Sequence, residues 1–266
     1  MTTRNAKTER VYTSQIIEAG ALLAETRILL SHWNPELSVA QNECQLVEQN
    51  LFGKSSRHWV LQIIKAMEVR YLQEPTTARA LIHLVLGSLP PMVLNRILYF
   101  YIAQSDALLH DFVCETLWQR TSQNRPDITP EDGRRQMEAW IKEGRILRAW
   151  NENTMVRVVR ELLATLRDFG VLEGKAKKRL NAFYLPLEAF AFIAFVLKEN
   201  QPSGQRLLQH PEWRLFFLND TLVERFFLEA HQHDLLEYQA AGSIVRISFP
   251  AQTLEEYADV VLNSTH

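Results

Sequence analysis

The sequence predicts a mostly α protein: an N-terminal helical bundle followed by tandem winged-helix-like units with short β-hairpins. Three observations carry this expectation. Apolar residues return at helical spacing through the first half, helix-capping residues and helix-stopping glycines punctuate the chain, and strand-like stretches appear only after about residue 170. At 266 residues the chain is long for one helical core and comfortable for two. The polar stretch Thr121 to Gly133, with Pro126 and Pro130, is the best boundary. The expected division is therefore an all-helical domain over 1–125 and a C-terminal domain over 126–266, the latter holding winged units at about 126–200 and 201–266.

Taken in order, Ser14 is placed to cap a helix running through Trp33, Ser38 one through Phe52, and Ser55 or Ser56 one to Leu72. In the third, Val60, Ile63, Ile64 and Met67 mark the core face. Helices follow over Thr77 to Leu86, after Pro90-Pro91 through Tyr101, and again through Trp118. Thr129-Pro130-Glu131-Asp132 opens the next helix with a cap, a proline in its first turn and two acids near the positive end of its dipole. Asn153 or Thr154 then caps a helix that runs to about Phe169 and stops at Gly170. Its predicted stripe is Val156, Val159, Leu163 and Leu166.

Beyond Gly170, Val171-Leu172 is a short strand, Glu173 to Arg179 a polar turn and Ala182 to Leu185 the return strand, before Pro186 opens a helix. Helix, helix, hairpin is the order of a winged helix-turn-helix. The order recurs with a helix over Thr221 to Ala230, a strand over Leu235 to Tyr238, a turn at Gly242, and Val245, Ile247 and Phe249 alternating with Arg246 and Ser248.

Composition excludes several classes. A chain 47% hydrophobic and 23% charged is neither disordered nor fibrous. The polar stretch Met1 to Tyr12 has no apolar core, so no signal peptide is expected. The longest apolar runs, Ile97 to Ala103 and Ala189 to Leu197, fall well short of the ~20 residues a spanning helix needs. Cys44 and Cys114 stand alone and read as buried thiols of a reducing cytoplasm. No P-loop, GxGxxG or GxSxG occurs, and no enzyme activity or cofactor is expected. Asp168, Glu173 and Lys175 imitate the D…ExK order of metal-dependent nucleases, and His231 with His233 a metal pair. The first set falls across a helix end and a turn, and the second lacks a third ligand. Core packing is the expectation for Trp33, Trp59, Trp118, Trp140, Trp150 and Trp213.

The net charge of −2 is unevenly spread. From Arg134 to Arg179 there are twelve Lys or Arg against six Asp or Glu, a local +6 that leaves −8 for the remainder. Arg157, Arg160 and Arg167 share one edge of the second helix, the position that enters the major groove in a helix-turn-helix. Lys175, Lys177, Lys178 and Arg179 in the hairpin are suited to phosphates. Lys54, Arg57, Arg134 and Arg135 are candidates for further contacts. Pro211 to Phe249 carries three basic and six acidic residues, so the second unit offers no such surface. A solvated amphipathic helix and charged turn, with Glu161 and Asp168 pairing the arginines, fits the same pattern.

A resemblance adds to this. Tyr12-Thr13, Gly20-Ala21-Leu22-Leu23 with Glu25-Thr26-Arg27, Asn50-Leu51-Phe52-Gly53-Lys54-Ser55-Ser56-Arg57 and Arg70-Tyr71-Leu72 together are similar to the N-terminal half of the BrxA family of BREX phage-exclusion systems. Thr154 to Gly174 is similar to its C-terminal half. The resemblance implies a helical, non-enzymatic, DNA-binding component working beside a methyltransferase, an ATPase and a phosphatase-like protein. It supplies no catalytic motif to transfer. The expected partner is double-stranded DNA with little sequence preference, the alternatives being a protein adaptor within the BREX assembly or an RNA-binding module, and no membrane is involved.

Overall fold

The computed structural model describes residues 12–54, 56–175, 177–198, 203–242 and 244–265. The polar stretch read as lacking a signal peptide (1–11), the alternative cap Ser55 and the division near residue 200 lie outside the described residues. In chain order the helices are α1 (Leu23–His32), α2 (Val39–Glu48), α3 (Arg57–Met67), α4 (Pro75–Leu86), α5 (Pro91–Ser105), α6 (Ala107–Asp111), α7 (Trp118–Ser122), α8 (Pro130–Lys142), α9 (Glu152–Asp168), α10 (Leu187–Lys198), α11 (Gly204–Leu208), α12 (Asp220–Gln232) and α13 (Leu254–Ser264). The strands are β1 (Asp127–Ile128), β2 (Leu172–Glu173), β3 (Lys178–Leu180), β4 (Glu237–Ala241) and β5 (Ile244–Ser248). The chain is mostly α, with small antiparallel strand pairs.

Several caps fall where the sequence places them. Ser38 with Gln41 and Thr129 with Asp132 form reciprocal capping boxes, and Ser56 caps α3. Others do not. Ser14 makes no side-chain cap, and the expected helix to Trp33 is a 3-10 turn, Gln15–Ile17, followed by α1. The interruption ends at Leu22, held left-handed at φ 47°. Asn151, not Asn153 or Thr154, caps α9 by accepting from the Thr154 N–H at 2.8 Å.

The chain forms two compact units that interleave in sequence, where the sequence suggests one cut after residue 125. One holds the described residues up to Ala21 together with Ala103–Ala182; the other holds Leu22–Ile102 and the described residues from Phe183 onward. In the second unit α10 is buried from Ala189 to Phe195, with Phe190 stacked on Trp213 and Phe226 at 4.6 and 4.8 Å and Phe195 on Tyr257 at 4.4 Å. Such rings supply much of a core's buried apolar area.

In the first unit α8 packs on α9, and Gly133 permits the approach. A Cβ there would lie 2.7 Å from Val159 Cγ1. The core face of α9 is Met155, Val158, Val159, Leu162, Leu163, Thr165 and Leu166, which corrects the predicted stripe at one position. Val156 is 51% exposed, because at roughly 100° per residue it falls beyond the edge of that face. β1, β3 and β2 form an antiparallel sheet in that spatial order, with Leu172 opposite Leu180 and Asp127 opposite Arg179.

The return strand is therefore Lys178–Leu180, earlier than Ala182 to Leu185. Phe183 explains the shift. It stacks on Phe216 at 6.1 Å and lies under the Arg96 guanidinium at 3.9 Å, while Arg96 donates to the Tyr184 carbonyl at 2.7 Å. Those contacts take the chain out of the strand. Cys44 is a further correction: it is exposed, on the solvent side of α2 opposite Asn42 and Leu46, and donates to Glu48 at 3.1 Å, whereas Cys114 is buried. Among the tryptophans Trp33, Trp140 and Trp213 are buried; Trp59, Trp118 and Trp150 are half-buried.

Candidate nucleic-acid interface

Arg157, Arg160 and Arg167 are all exposed on α9. With roughly 100° between successive residues, they fall within about 80° of one another, outside the buried face, with Arg167 the nearest of the three to its edge. Asn153 and Ala164 lie on the same arc. Glu161 and Asp168 border it on one side, and each takes an adjacent arginine: Arg160 pairs with Glu161 at 2.9 Å and Arg167 with Asp168 at 2.7 Å. Arg157 has no hydrogen-bond or ion-pair partner among the described residues. Neighbouring pairs at an exposed surface are worth little, so they leave those arginines available to a stronger anion.

The helix leads straight into the hairpin. Gly170 (φ 79°) closes α9, and the Val171 N–H donates to the Leu166 carbonyl at 2.8 Å. Gly174 turns the hairpin at φ +92°, where a Cβ would meet the Lys177 carbonyl oxygen at 2.2 Å. Lys175 and Lys177 have no side-chain partner among the described residues. Lys178 reaches back to the Lys175 carbonyl at 2.9 Å. Arg179 sits on the central strand between Asp127 and Glu173 and pairs with Glu173 at 3.3 Å. Its charge is the most compensated of the four.

The further candidates divide. Arg134 is held between Glu131 and Glu138, both at 2.8 Å, while Arg135 is 70% exposed with only a 3.5 Å approach to Glu131. Lys54 pairs with Glu25 at 3.4 Å and lies over the Trp59 ring at 4.5 Å; Arg57 is exposed at the start of α3. Lys54 and Arg57 belong to the compact unit that does not contain α9. The nuclease-like carboxylates are engaged by arginines, Asp168 by Arg167 and Glu173 by Arg179. His231 faces the Leu236 carbonyl at 3.3 Å and His233 ends α12. Among the described residues no group of three or more His, Cys, Asp or Glu is placed to hold a metal ion.

One ionic cluster has no local signal in the sequence because Tyr12 lies 99 residues, and Arg145 34 residues, from the Asp111 they share. Asp111 accepts from Tyr12 at 2.6 Å and from Arg145 at 2.6 Å, and contacts His110 at 2.7 Å; Arg145 also grips Glu115 and lies 5.1 Å from the centre of the Trp140 ring. Burial pushes the Asp111 carboxyl up, but the hydrogen bonds from His110 and Tyr12 and the His110 and Arg145 charges prevail and hold it at about 2. Arg145 thus ties α6 to the end of α8, and one charge of the basic segment is spent inside the unit.

The family model for BrxA matches residues 10–197. The chain belongs to the BrxA family. With that membership it is a component of a BREX phage-defence system. The match spans α1 through almost all of α10, so it includes α9 and the β2–β3 hairpin and leaves out β4 and β5. No curated protein matches the chain. Among the described residues no helix is long and apolar enough to cross a membrane.

Proposed function

We propose that this BrxA-family chain is a non-enzymatic, double-stranded DNA-binding component of its BREX system, with α9 in the major groove and the β2–β3 hairpin as a wing against the backbone. The observation that carries the reading is the exposed arginine edge of α9, joined through Gly170 to a turn bearing Lys175 and Lys177, with Arg157, Lys175 and Lys177 all without a side-chain partner among the described residues. The order helix, β1, α8, α9, β2, β3, with the sheet order β1-β3-β2, supports a winged helix as the frame for it. Phosphate contacts position a protein without reading bases, and flexible lysines in the turn match phosphates better than base edges. Binding is therefore expected to depend little on sequence.

The deciding experiment is a gel shift of the full chain with duplex DNA, single strands and RNA at two salt concentrations. Duplex is expected to bind best, with log affinity falling by ~0.9 per log unit of salt for each neutralised phosphate. Changing Lys175, Lys177 and Lys178 to Ala is expected to flatten that slope, mostly through the two unpaired lysines. A salt-independent or absent shift would leave the second reading, a protein adaptor, which the acidic character of Pro211 to Phe249 favours. Preference for RNA would redirect the same surface to a different polymer.

A further inference from the structure

A second basic feature lies in the same compact unit, outside the α9 edge and the hairpin. Between α7, the segment leading to β1, and α8 there is a cavity of about 260 Å³ lined by Arg120, Arg125 and Arg135. Asp132 is the carboxylate in the lining, and it is fully engaged: it accepts from Arg120 at 2.7 Å, from the Thr129 hydroxyl at 2.7 Å and from the Thr129 N–H at 2.9 Å. Arg125 has no side-chain partner among the described residues, and Arg135 has only the 3.5 Å approach to Glu131. The lining therefore carries a net charge of +2, with the Arg125 guanidinium without a side-chain partner among the described residues and that of Arg135 held only by the long pair with Glu131.

Neutral donors complete it. The amides of Gln119, Gln123 and Gln136 are without partners among the described residues. Thr116, in the π-helical segment Phe112–Leu117, contributes to the lining, and its Oγ1 is buried with no hydrogen-bond partner among the described residues. A buried polar atom left unsatisfied costs stability unless something fills its need, and π-helical segments recur at functional sites. The volume is slightly below the ~300 Å³ at which small-molecule sites usually begin. It suits a phosphate with its attached sugar better than a large cofactor.

We propose that this cavity binds the phosphate group of a nucleotide, with Arg125 and Arg135 as its charged ligands and Thr116 and the glutamine amides as neutral donors. Guanidinium forks match phosphate oxygens in pairs, which ammonium groups do not. The phosphate comes either from a nucleic acid or from a free nucleotide, and the chemistry is the same. The proposal does not rest on the α9 reading.

The test uses the full chain, calorimetric titration with deoxyadenosine 5′-monophosphate, deoxyadenosine as the uncharged control, and a duplex gel shift in parallel. The monophosphate is expected to bind saturably and the nucleoside not at all. Arg125→Ala with Arg135→Ala is expected to weaken monophosphate binding tenfold or more; Thr116→Val, which leaves every charge in place, is expected to weaken it severalfold. Charge reversal at Arg157, Arg160 and Arg167 is expected to leave it intact, so the two readings fail separately. A parallel loss of duplex affinity in the Arg125/Arg135 variant assigns the phosphate to nucleic acid, and unchanged duplex affinity assigns it to a free nucleotide. Equal binding of the nucleoside, or no response of either probe to both variants, overturns the proposal.

Discussion

The two hairpins of this chain follow helices in the same order and differ in almost everything else. β4 and β5 pair over five residues each, turn at Gly242 and follow α12, whose exposed positions include Asp220, Glu224 and Glu229. Tyr238 on β4 donates to Glu224 at 2.9 Å, so part of that acidic surface is bound into the unit's own hydrogen bonding. β2 and β3 pair over only two positions, borrow β1 as a third strand, and follow a helix whose exposed edge is arginine. Element order alone therefore does not mark a nucleic-acid surface. What separates the two hairpins is the sign of the exposed charge and whether that charge already has a partner among the described residues.

The largest expected effect separates the two regions directly. Arg157, Arg160 and Arg167 changed together to Glu are expected to abolish duplex binding in a gel shift, whereas Arg214 and Arg225 changed to Glu leave it nearly unchanged. All three α9 side chains are exposed, and surface changes usually cost within ~0.5 kcal/mol each, so the melting temperature is expected to hold. The exchanged charges face each phosphate with repulsion where there was attraction. Normal binding by the folded triple variant breaks the comparison and moves the weight to the adaptor reading.

A smaller effect tests the turns. Gly174→Ala introduces a Cβ 2.2 Å from the Lys177 carbonyl oxygen at φ +92°, and the backbone must shift to relieve it. Gly242 sits at φ +61° with nothing within 4 Å of the same Cβ, so Gly242→Ala meets only the ordinary left-handed penalty, of ~1 kcal/mol. The first change is expected to cost about 1–3 kcal/mol in denaturant unfolding and to weaken duplex binding by displacing Lys175 and Lys177. The second is expected to lower stability alone. Equal effects of the two on binding would remove the functional distinction between the hairpins.

Much of this was legible from residue order, and the failures have a common cause. Ser38, Ser56 and Thr129 are found as caps because capping is local, and the helix stop at Gly170 is local too. The return strand was misplaced because Phe183 answers to Phe216 and Arg96, far away in sequence. Val156 was assigned inward from its apolar character alone, although α9 has enough buried positions without it. The interleaved units were invisible for the same reason: no local signal in α5 or at Ala182 announces where contacts change partners. On the candidate site, the exposure of the three arginines followed from helical periodicity. The pairing that ranks the four hairpin cations did not, because it depends on which residues face each other across β1, β3 and β2. Arg125 was missed because it lies in a stretch whose polar composition reads only as linker.

The smallest expected effect, Glu173→Gln, asks whether internal pairing sets how much each cation contributes. Glu173 lies opposite Arg179 across β2 and β3 and pairs with it at 3.3 Å, both side chains about half exposed. Exposed pairs contribute about 0–1 kcal/mol, so removing this charge costs little stability. Its consequence for binding has the opposite sign. The hairpin loses one negative charge, Arg179 keeps only Asp127 beside it on β1, and a freed guanidinium becomes available to phosphate. Duplex affinity is expected to rise severalfold at low salt, and the salt slope to steepen by up to ~0.9, the increment of one additional phosphate contact. The same substitution in the second hairpin, Glu237→Gln, removes an acid that accepts from Ser248 at 2.9 Å and is ion-paired with no arginine among the described residues, and is expected to leave the slope where it was. A steeper slope in the first variant alone establishes that the first hairpin's charge is tuned by its own carboxylate. An unchanged slope in both means Arg179 does not face the nucleic acid, which confines the wing contacts to Lys175, Lys177 and Lys178.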